Sequence, residues 1–426
     1  MISNLKEIFK SLSSANSNDE GQKKYNILIF HRSGFSYGST EKLMRQVAKI
    51  LSSKFNVFFA YSGPTDEQEK IVLDKLGIRT IFFDYKYKQV REPFGLIGMQ
   101  PDLKEIIKNH HIHCIFTDVY AHYQFPINSV PASIPIILIS PFGHYCSNGN
   151  VAKTYVSGKE NYQRLLKRGI KTAELFFNPL ENFLPEFLRK DPIGDVITFG
   201  RIGRGDDSIF DPIALTAFKK LEDEYQNRVK YIVVNPPPAW KELSERLGVK
   251  NQELRDPITD PEILSKFYQE IDVLAHARKD GETVGIAIAE AMMAGNPILT
   301  HRSHFHNDHF DILDPSYSLW SEADDVQKYF ENMKWMVEHK DQIREMGQLA
   351  RKRALEVFGM DTQAPKIIET FTNACRRYYH KSFFGRLKGY ILLTWENLKA
   401  MPFFLGKLLT YKFPSLYKKL RRLYYE

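Results

Sequence analysis

The chain has 426 residues, 43% hydrophobic, 13% aromatic and 26% charged, with a formal net charge of +8. That length exceeds the usual single domain and can bury a large core, so two domains are expected and a disordered or fibrous chain is excluded. No run of about 18 uncharged apolar residues occurs, which argues against a transmembrane helix, and Cys114, Cys146 and Cys375 have neither disulfide-framework nor zinc-type spacing and fit a reducing compartment.

Residues 1–24, MISNLKEIFKSLSSANSNDEGQKK, lack the apolar centre of a signal peptide and end in a Ser/Asn/Asp/Gly linker, so a cytoplasmic protein is expected. From there, short apolar runs alternate with amphipathic stretches: NILIF, VFFAY, TIFF, CIFT, PIILIS and ELFF. Runs of this kind suit a parallel sheet covered on both faces. After NPLENFLPEFLRKDPIGD the alternation restarts with VITFG, a helix near 212–227, YIVVN, helices near 239–247 and 261–270, DVLAHA, a buried helix and PILT. The expected class is α/β, with two doubly wound Rossmann-like domains over 25–185 and 193–362, joined near 182–194, a closing helix over 363–380 and a tail over 381–426. Ligands of such sheets bind beyond the carboxyl ends of the strands, which makes the cleft between the domains the expected site.

The first strand runs into RSGFSYGSTEKLMRQVAKIL, where Gly34 and Gly38 allow close backbone approach. Ser39 or Thr40 is expected at the N-cap of a helix burying Leu43, Val47, Ile50 and Leu51. The dinucleotide G-x-G-x-x-G spacing is absent. More informative is DGETVGIAIAEAMMAGNPILT, residues 280–300. Its helix has no polar stripe, so it is expected to be buried on most sides, stopped by Gly295, Asn296 and Pro297. Glu290 is nearly its only polar side chain, and a buried carboxylate needs a dedicated donor, a ligand hydroxyl or a core arginine. Glu282 lies eight residues earlier, a rise of roughly 12 Å if most of the interval is helical. Val284, Gly285 and Ile286 between them open the helix with free N–H groups that favour an anion. Carboxylate, anion hole and carboxylate suit sugar, diphosphate and ribose.

GETVGIAIAEAMMAGNPILT closely resembles the E-x7-E segment of the retaining GT-B-type glycosyltransferases, the family 4-like group that includes sucrose and glycogen synthases and many lipopolysaccharide and capsule enzymes. YGSTEK is similar to that family's Gly-Gly-x-Glu turn, ISPFGHY to the strand ending in a donor-site histidine, YVSGKENYQRLLKRG and FFNPLE to the close of the first domain, and FGRIGRGDD to the Gly-Arg phosphate loop. The resemblance covers about residues 25–375 and is strongest over 271–300. It implies that Glu282 and His144 contact the donor sugar, that Glu290 binds the ribose, and that the amides of Val284, Gly285 and Ile286 hold the phosphate. It also implies Arg201 at the diphosphate, with Arg204 as a second candidate, and Gly38 on the donor side. Two departures stand out. The family's lysine shortly after the Gly-Arg pair has no counterpart, Asp206 or Asp207 falling near its place, and the turn's second glycine is Ser39. Either bears on donor choice, and together they leave room for a weakened enzyme. His301, His304, His306 and His309 lack a known metal-ligand pattern and are read as a solvated loop.

The tail from 381 to 426 carries ten Lys/Arg against two Glu, the whole of the net charge, interleaved with eleven aromatic residues. It is too interrupted by Lys, Gly and Pro to span a bilayer, so an anionic membrane surface is the expected partner, ahead of packing on the domains and of nucleic acid. The expected activity is a retaining, metal-independent glycosyl transfer from a nucleoside-diphosphate sugar to a glycan or lipid-linked acceptor, without a cofactor. The alternatives are a non-catalytic nucleotide-sugar-binding scaffold and an epimerase or hydrolase of the same fold.

Overall fold

The structure, a computed structural model, describes residues 25–31, 38–61, 67–82, 101–118, 130, 133–141, 143–144, 150–181 and 194–379. The N-terminal segment 1–24, Gly34, Cys146, the junction at 182–193 and the basic-aromatic tail lie outside the described residues. The chain divides into two compact units, one comprising the residues up to Val156, Asn161–Phe176 and those from Ala364 on, the other Ser157–Glu160 and Phe177–Gln363.

Unit 1 alternates β1 (Asn26–His31), α1 (Ser39–Ser52), β2 (Asn56–Tyr61), α2 (Glu67–Lys75), β3 (Arg79–Phe82), α3 (Pro101–Asn109), β4 (Cys114–Asp118), β5 (Ile136–Ser140), β6 (Val151–Val156), α4 (Lys159–Lys167) and β7 (Ala173–Leu175). Its seven strands are parallel in the order β3-β2-β1-β4-β5-β6-β7. Leu28, Phe58, Ile115, Ile136 and Leu138 form its core. α1 buries Leu43, Val47, Ile50 and Leu51 as its spacing requires, but its N-cap is Gly38 rather than Ser39 or Thr40. Gly38 sits extended at φ −75°, and a Cβ there would lie 1.9 Å from the Glu41 carboxylate folded back against it.

Unit 2 carries β8 (Ile197–Ile202), α5 (Ile213–Tyr225), β9 (Val229–Val234), α6 (Pro238–Leu247), β10 (Gln252–Arg255), α7 (Pro261–Glu270), β11 (Val273–Ala275), β12 (Gly281–Glu282), α8 (Ile286–Ala294), β13 (Ile298–His301), β14 (His306–Asn307), β15 (Ser318–Ser321), α9 (Val326–Glu338) and α10 (Lys340–Phe358). α11 (Met360–Tyr379) begins here and continues into unit 1. The main sheet has six parallel strands, β10-β9-β8-β11-β13-β15. β12 and β14 pair separately.

The buried helix is as the sequence requires: Ile288 through Ala294 are all buried in α8. Gly295 ends it in a left-handed conformation, and the Arg351 guanidinium donates to the Met293 carbonyl there. α7 begins where Asp260 accepts from the Glu262 and Ile263 amides and Pro261 supplies a preset φ. Among the described residues no helix is long and apolar enough to cross a membrane.

Candidate functional site

In unit 2 the strand order reverses between β8 and β11, which makes the carboxyl ends of these two strands the place where a crevice opens in a doubly wound sheet. β8 delivers Arg201 to that end, and the chain leaving β11 carries His276, Arg278 and Asp280 into β12 with Glu282. Glycine is required at 281: its φ is +70°, and a Cβ would lie 1.8 Å from the His306 carbonyl oxygen. The Gly281–His306 and Glu282–Asn307 pairing thus fixes the backbone that presents Glu282.

The Glu282 carboxylate takes both of its protein donors on one oxygen. His276 Nε2 is 3.1 Å from Oε1 and Arg278 Nη1 is 3.3 Å from the same atom. Because an ionised carboxylate only accepts, His276 carries its proton on Nε2. Arg278 is itself held by a two-pronged contact with Asp280, at 2.5 and 2.8 Å. Burial by itself would raise the Glu282 pKa, but the His276 hydrogen bond and charge and the Arg278 charge outweigh it and bring it down to about 2. The Glu282 side chain is 15% accessible, and both of the donors named among the described residues lie on Oε1.

Two of the four histidines expected in a solvated loop are instead buried here, His301 at 3% and His309 at 1% exposure. His309 Nδ1 donates to the Glu282 carbonyl at 3.2 Å, and His301 Nε2 accepts from the Arg278 amide at 3.1 Å. Burial lowers both pKa values, that of His309 to about 4, leaving both neutral at pH 7. Their place is set by pairing: His301 ends β13, which lies between β11 and β15, and His309 lies in the 3-10 turn after β14. His304 is the solvated member, paired with Asp324 on the surface.

α8 opens beside Glu282. The interval to Glu290 is helical only from Ile286, because Gly285, at φ +73°, turns the chain into the helix; the roughly 12 Å rise therefore applies to only half of it. No side chain caps α8, and its first intrahelical bond runs from Ala289 N–H to the Gly285 carbonyl. The amides of Ile286, Ala287 and Ile288 thus have no partner within the helix. Glu290 is 7% exposed, and the Tyr268 hydroxyl from α7 donates to its Oε2 at 2.9 Å.

Arg201 is 3% exposed, with its guanidinium carbon 5.4 Å from the centroid of the Trp240 ring. Its Nη1 has no acceptor among the described residues, and burial, with the nearby Arg278 charge, lowers its pKa. Arg204 is exposed. The aspartates near the missing lysine cap their surroundings: Asp206 accepts from the Ser208 amide at 2.9 Å, and Asp207 from the Ala239 amide at the start of α6, at 2.8 Å.

Arg201, Arg204, Glu282, Val284, Gly285, Ile286 and Glu290 all belong to unit 2, whereas Gly38 and His144 belong to unit 1. His144 is half-buried, its carbonyl accepting from the Ser140 hydroxyl. Unit 1 has its own switch point between β1 and β4, where His31 ends one strand and Asp118 the other. His31 Nδ1 is 3.1 Å from Asp118 and Nε2 is 3.3 Å from Glu41. Sequence reasoning missed His276, Arg278, His309, Tyr268 and Trp240. The position of His276 and Arg278 just past a strand end was the available signal.

Two doubly wound parallel sheets define the GT-B architecture. No protein-family model matches the sequence, and no curated protein matches it. Among solved structures, Alr3699/HepE of Anabaena in complex with UDP and glucose is similar at a TM-score of 0.64 and 14% identity, over 82% of this chain and 100% of that one. A glycosyltransferase from Rickettsia africae is similar at 0.63 and 16%, over 84% and 100%. The sucrose-phosphate synthase of Thermosynechococcus elongatus follows at 0.60 and 12%, over 82% and 99%.

Proposed function

We propose that the protein is a retaining glycosyltransferase that moves a sugar from a nucleoside-diphosphate sugar to a glycan or lipid-linked acceptor. The observation that carries this reading is the Glu282 carboxylate, held ionised on one oxygen by His276 and Arg278 beside the uncapped start of α8. A carboxylate with a pKa near 2 is no general acid at neutral pH. Its role is to accept hydrogen bonds from donor-sugar hydroxyls, where loss of a bond to a charged group costs about 1.5–3 kcal/mol. The buried Arg201 guanidinium and the α8 amides are the groups that would meet the diphosphate as its charge grows on departure of the sugar. With these cations and dipoles the donor is activated without a metal.

His276 and Arg278 draw charge from the Glu282 oxygen they share, which makes it a poor covalent nucleophile. Attack of the acceptor on the face the diphosphate leaves is therefore the preferred route to retention. A UDP-sugar is the first donor to try, since the Anabaena structure holds UDP. A thermal-shift screen against UDP, GDP, ADP and CMP tests the reading. One nucleoside diphosphate is expected to raise the melting temperature, and Glu290→Ala to abolish the rise, because a ligand that binds only the folded state stabilises it. No response to any nucleotide would overturn the assignment.

We further propose that the 381–426 tail holds the enzyme on the anionic inner face of a membrane, on the strength of its ten basic and eleven aromatic residues. Deleting it is expected to abolish co-sedimentation with anionic liposomes while leaving nucleotide binding intact. Unchanged sedimentation would sink the membrane role alone.

A further inference from the structure

We propose that Trp240 is a positioning residue for the donor's diphosphate: its indole holds the Arg201 guanidinium by the face and leaves the N–H donors at the edge to the phosphate oxygens. This rests on the donor reading of Arg201 given above. Arg201 is 3% exposed near the carboxyl end of β8, yet no carboxylate among the described residues forms an ion pair with it, and its buried Nη1 has no acceptor among them. The nearby Arg278 charge has the same sign and adds to the cost of burial. A buried cation without a counter-charge costs several kcal/mol, so a guanidinium kept only for packing is expected to carry a carboxylate partner. Here the protein supplies an aromatic ring instead. The guanidinium carbon lies over Trp240, 5.4 Å from the ring centroid.

That choice of partner has a chemical consequence. A carboxylate would take guanidinium N–H groups in a two-pronged pair, as Asp280 takes those of Arg278. A ring attracts the cation through its quadrupole and asks for no N–H donor, so Arg201 is steadied while its planar fork stays suited to phosphate oxygens. The ring is itself fixed before a ligand arrives. Trp240 is fully buried in the first turn of α6, its Nε1 donates to Gln252 Oε1 on β10 at 3.1 Å, and Phe210 and Tyr231 make T-shaped contacts with it at 5.8 and 5.3 Å between centroids. Asp207 holds the start of the same helix through the Ala239 amide. Beside the guanidinium, residue 203 is glycine. A Cβ there would already come 3.7 Å from Arg201 Nη2, so a longer side chain would crowd the fork.

The test compares the nucleoside diphosphate selected by the screen, titrated by calorimetry, with its parent nucleoside, titrated by ligand-detected magnetic resonance. Trp240→Leu removes the ring and keeps an apolar side chain. It is expected to weaken the diphosphate about tenfold and the nucleoside by less than about twofold. Trp240→Phe restores a ring face and should recover most of the loss. Equal weakening of both ligands, equal loss in the two variants, or no loss would make Trp240 a packing residue and overturn the proposal. Should Trp240→Leu fold poorly, tryptophan is replaced biosynthetically by its mono- and difluoro analogues, which withdraw electron density from the ring at nearly constant volume. Affinity for the diphosphate should then fall stepwise with fluorine content, and the same series in Trp240→Phe should be flat. A diphosphate affinity indifferent to fluorine, or a slope that persists in Trp240→Phe, also overturns it. In all of these cases wild type still binds the diphosphate, and only the tryptophan's role falls. If wild type binds no nucleoside diphosphate, the donor reading falls and takes this inference with it.

Discussion

In unit 1 the residue that ends β1 is His31, and in unit 2 the residue that ends β13 is His301, with His309 a few residues beyond. All three are almost fully buried, at 1%, 3% and 1% exposure, yet their protons are held in opposite ways. Burial by itself would lower the pKa of His31, but Asp118 and Glu41 grip its two nitrogens and bring it up to about 9. His301 and His309 hydrogen-bond to backbone groups, an amide and a carbonyl, and burial prevails over the charges of Asp211, 3.7 Å from His301 Nε2, and of Glu282 near His309. At similar depth, a carboxylate at each ring nitrogen outweighs burial and keeps the imidazole charged, whereas a single more distant carboxylate does not. In unit 2 the Glu282 carboxylate is already committed to His276 and Arg278. In unit 1 two carboxylates, Asp118 and Glu41, flank the one histidine.

That division predicts where function is lost. Glu282→Gln keeps the shape and removes the charge, and with two sugar hydroxyl bonds at about 2 kcal/mol each it should lower kcat/KM by roughly 10³-fold. The protein should remain folded, since glutamine oxygen can still accept from His276. Steady-state turnover with the donor identified by the screen checks this. A loss below tenfold would place the chemistry elsewhere.

The next effect separates the two units by pH. The folded state keeps a proton on His31 up to about pH 9, whereas the unfolded chain releases it near 6.5. The associated stability is therefore fully present below 6.5 and is lost as pH rises through 9. His31→Asn removes that slope, so the stability difference between wild type and variant should be about 3 kcal/mol larger at pH 6 than above pH 9. Denaturant midpoints across pH 6–9.5 read it directly, and parallel curves for the two proteins would contradict the charged-histidine account.

Much of this architecture was legible in the chain because apolar runs such as NILIF and PIILIS leave few choices for a parallel sheet. The strands that escaped are the ones whose polar side chains find partners across the sheet. β6 carries Lys153, paired with Glu174, and Thr154, 3.3 Å from Thr172. The edge strand β10 reads Gln-Glu-Leu-Arg, and its Glu253 lies between Lys230 and Arg255. Neither shows an apolar alternation: β6 buries Thr154 and Tyr155 side by side, and β10 is partly exposed and lined with charge. The buried character of α8 and the prominence of Glu290 followed from composition, and that of Glu282 from its spacing within the motif and the resemblance the motif carries. The donors that serve them did not: Tyr268 comes from another helix, and His309 approaches through a two-residue ladder that no local pattern announces.

The smallest effect tests that ladder. His309 is kept neutral in the fold, its pKa lowered from 6.5 to about 4, so the unfolded chain takes up a proton first as pH falls. Its contribution to stability is complete above 6.5 and declines as pH drops toward 4, the reverse of His31. Between pH 6.5 and 5, before the carboxylates titrate, the loss should reach about 2 kcal/mol. His309→Asn retains a donor but cannot take up a proton there. Its stability should therefore fall less steeply than that of wild type across that window, the contribution of His301 remaining in both. Because His309 holds the Glu282 carbonyl rather than the carboxylate, the variant should alter the affinity for the donor more through its sugar than through its diphosphate. UDP alone should bind the variant and wild type alike at pH 7, and a UDP-sugar should bind the variant more weakly. Equal loss for both ligands would mean that the imidazole supports the fold of the turn and not the placement of Glu282.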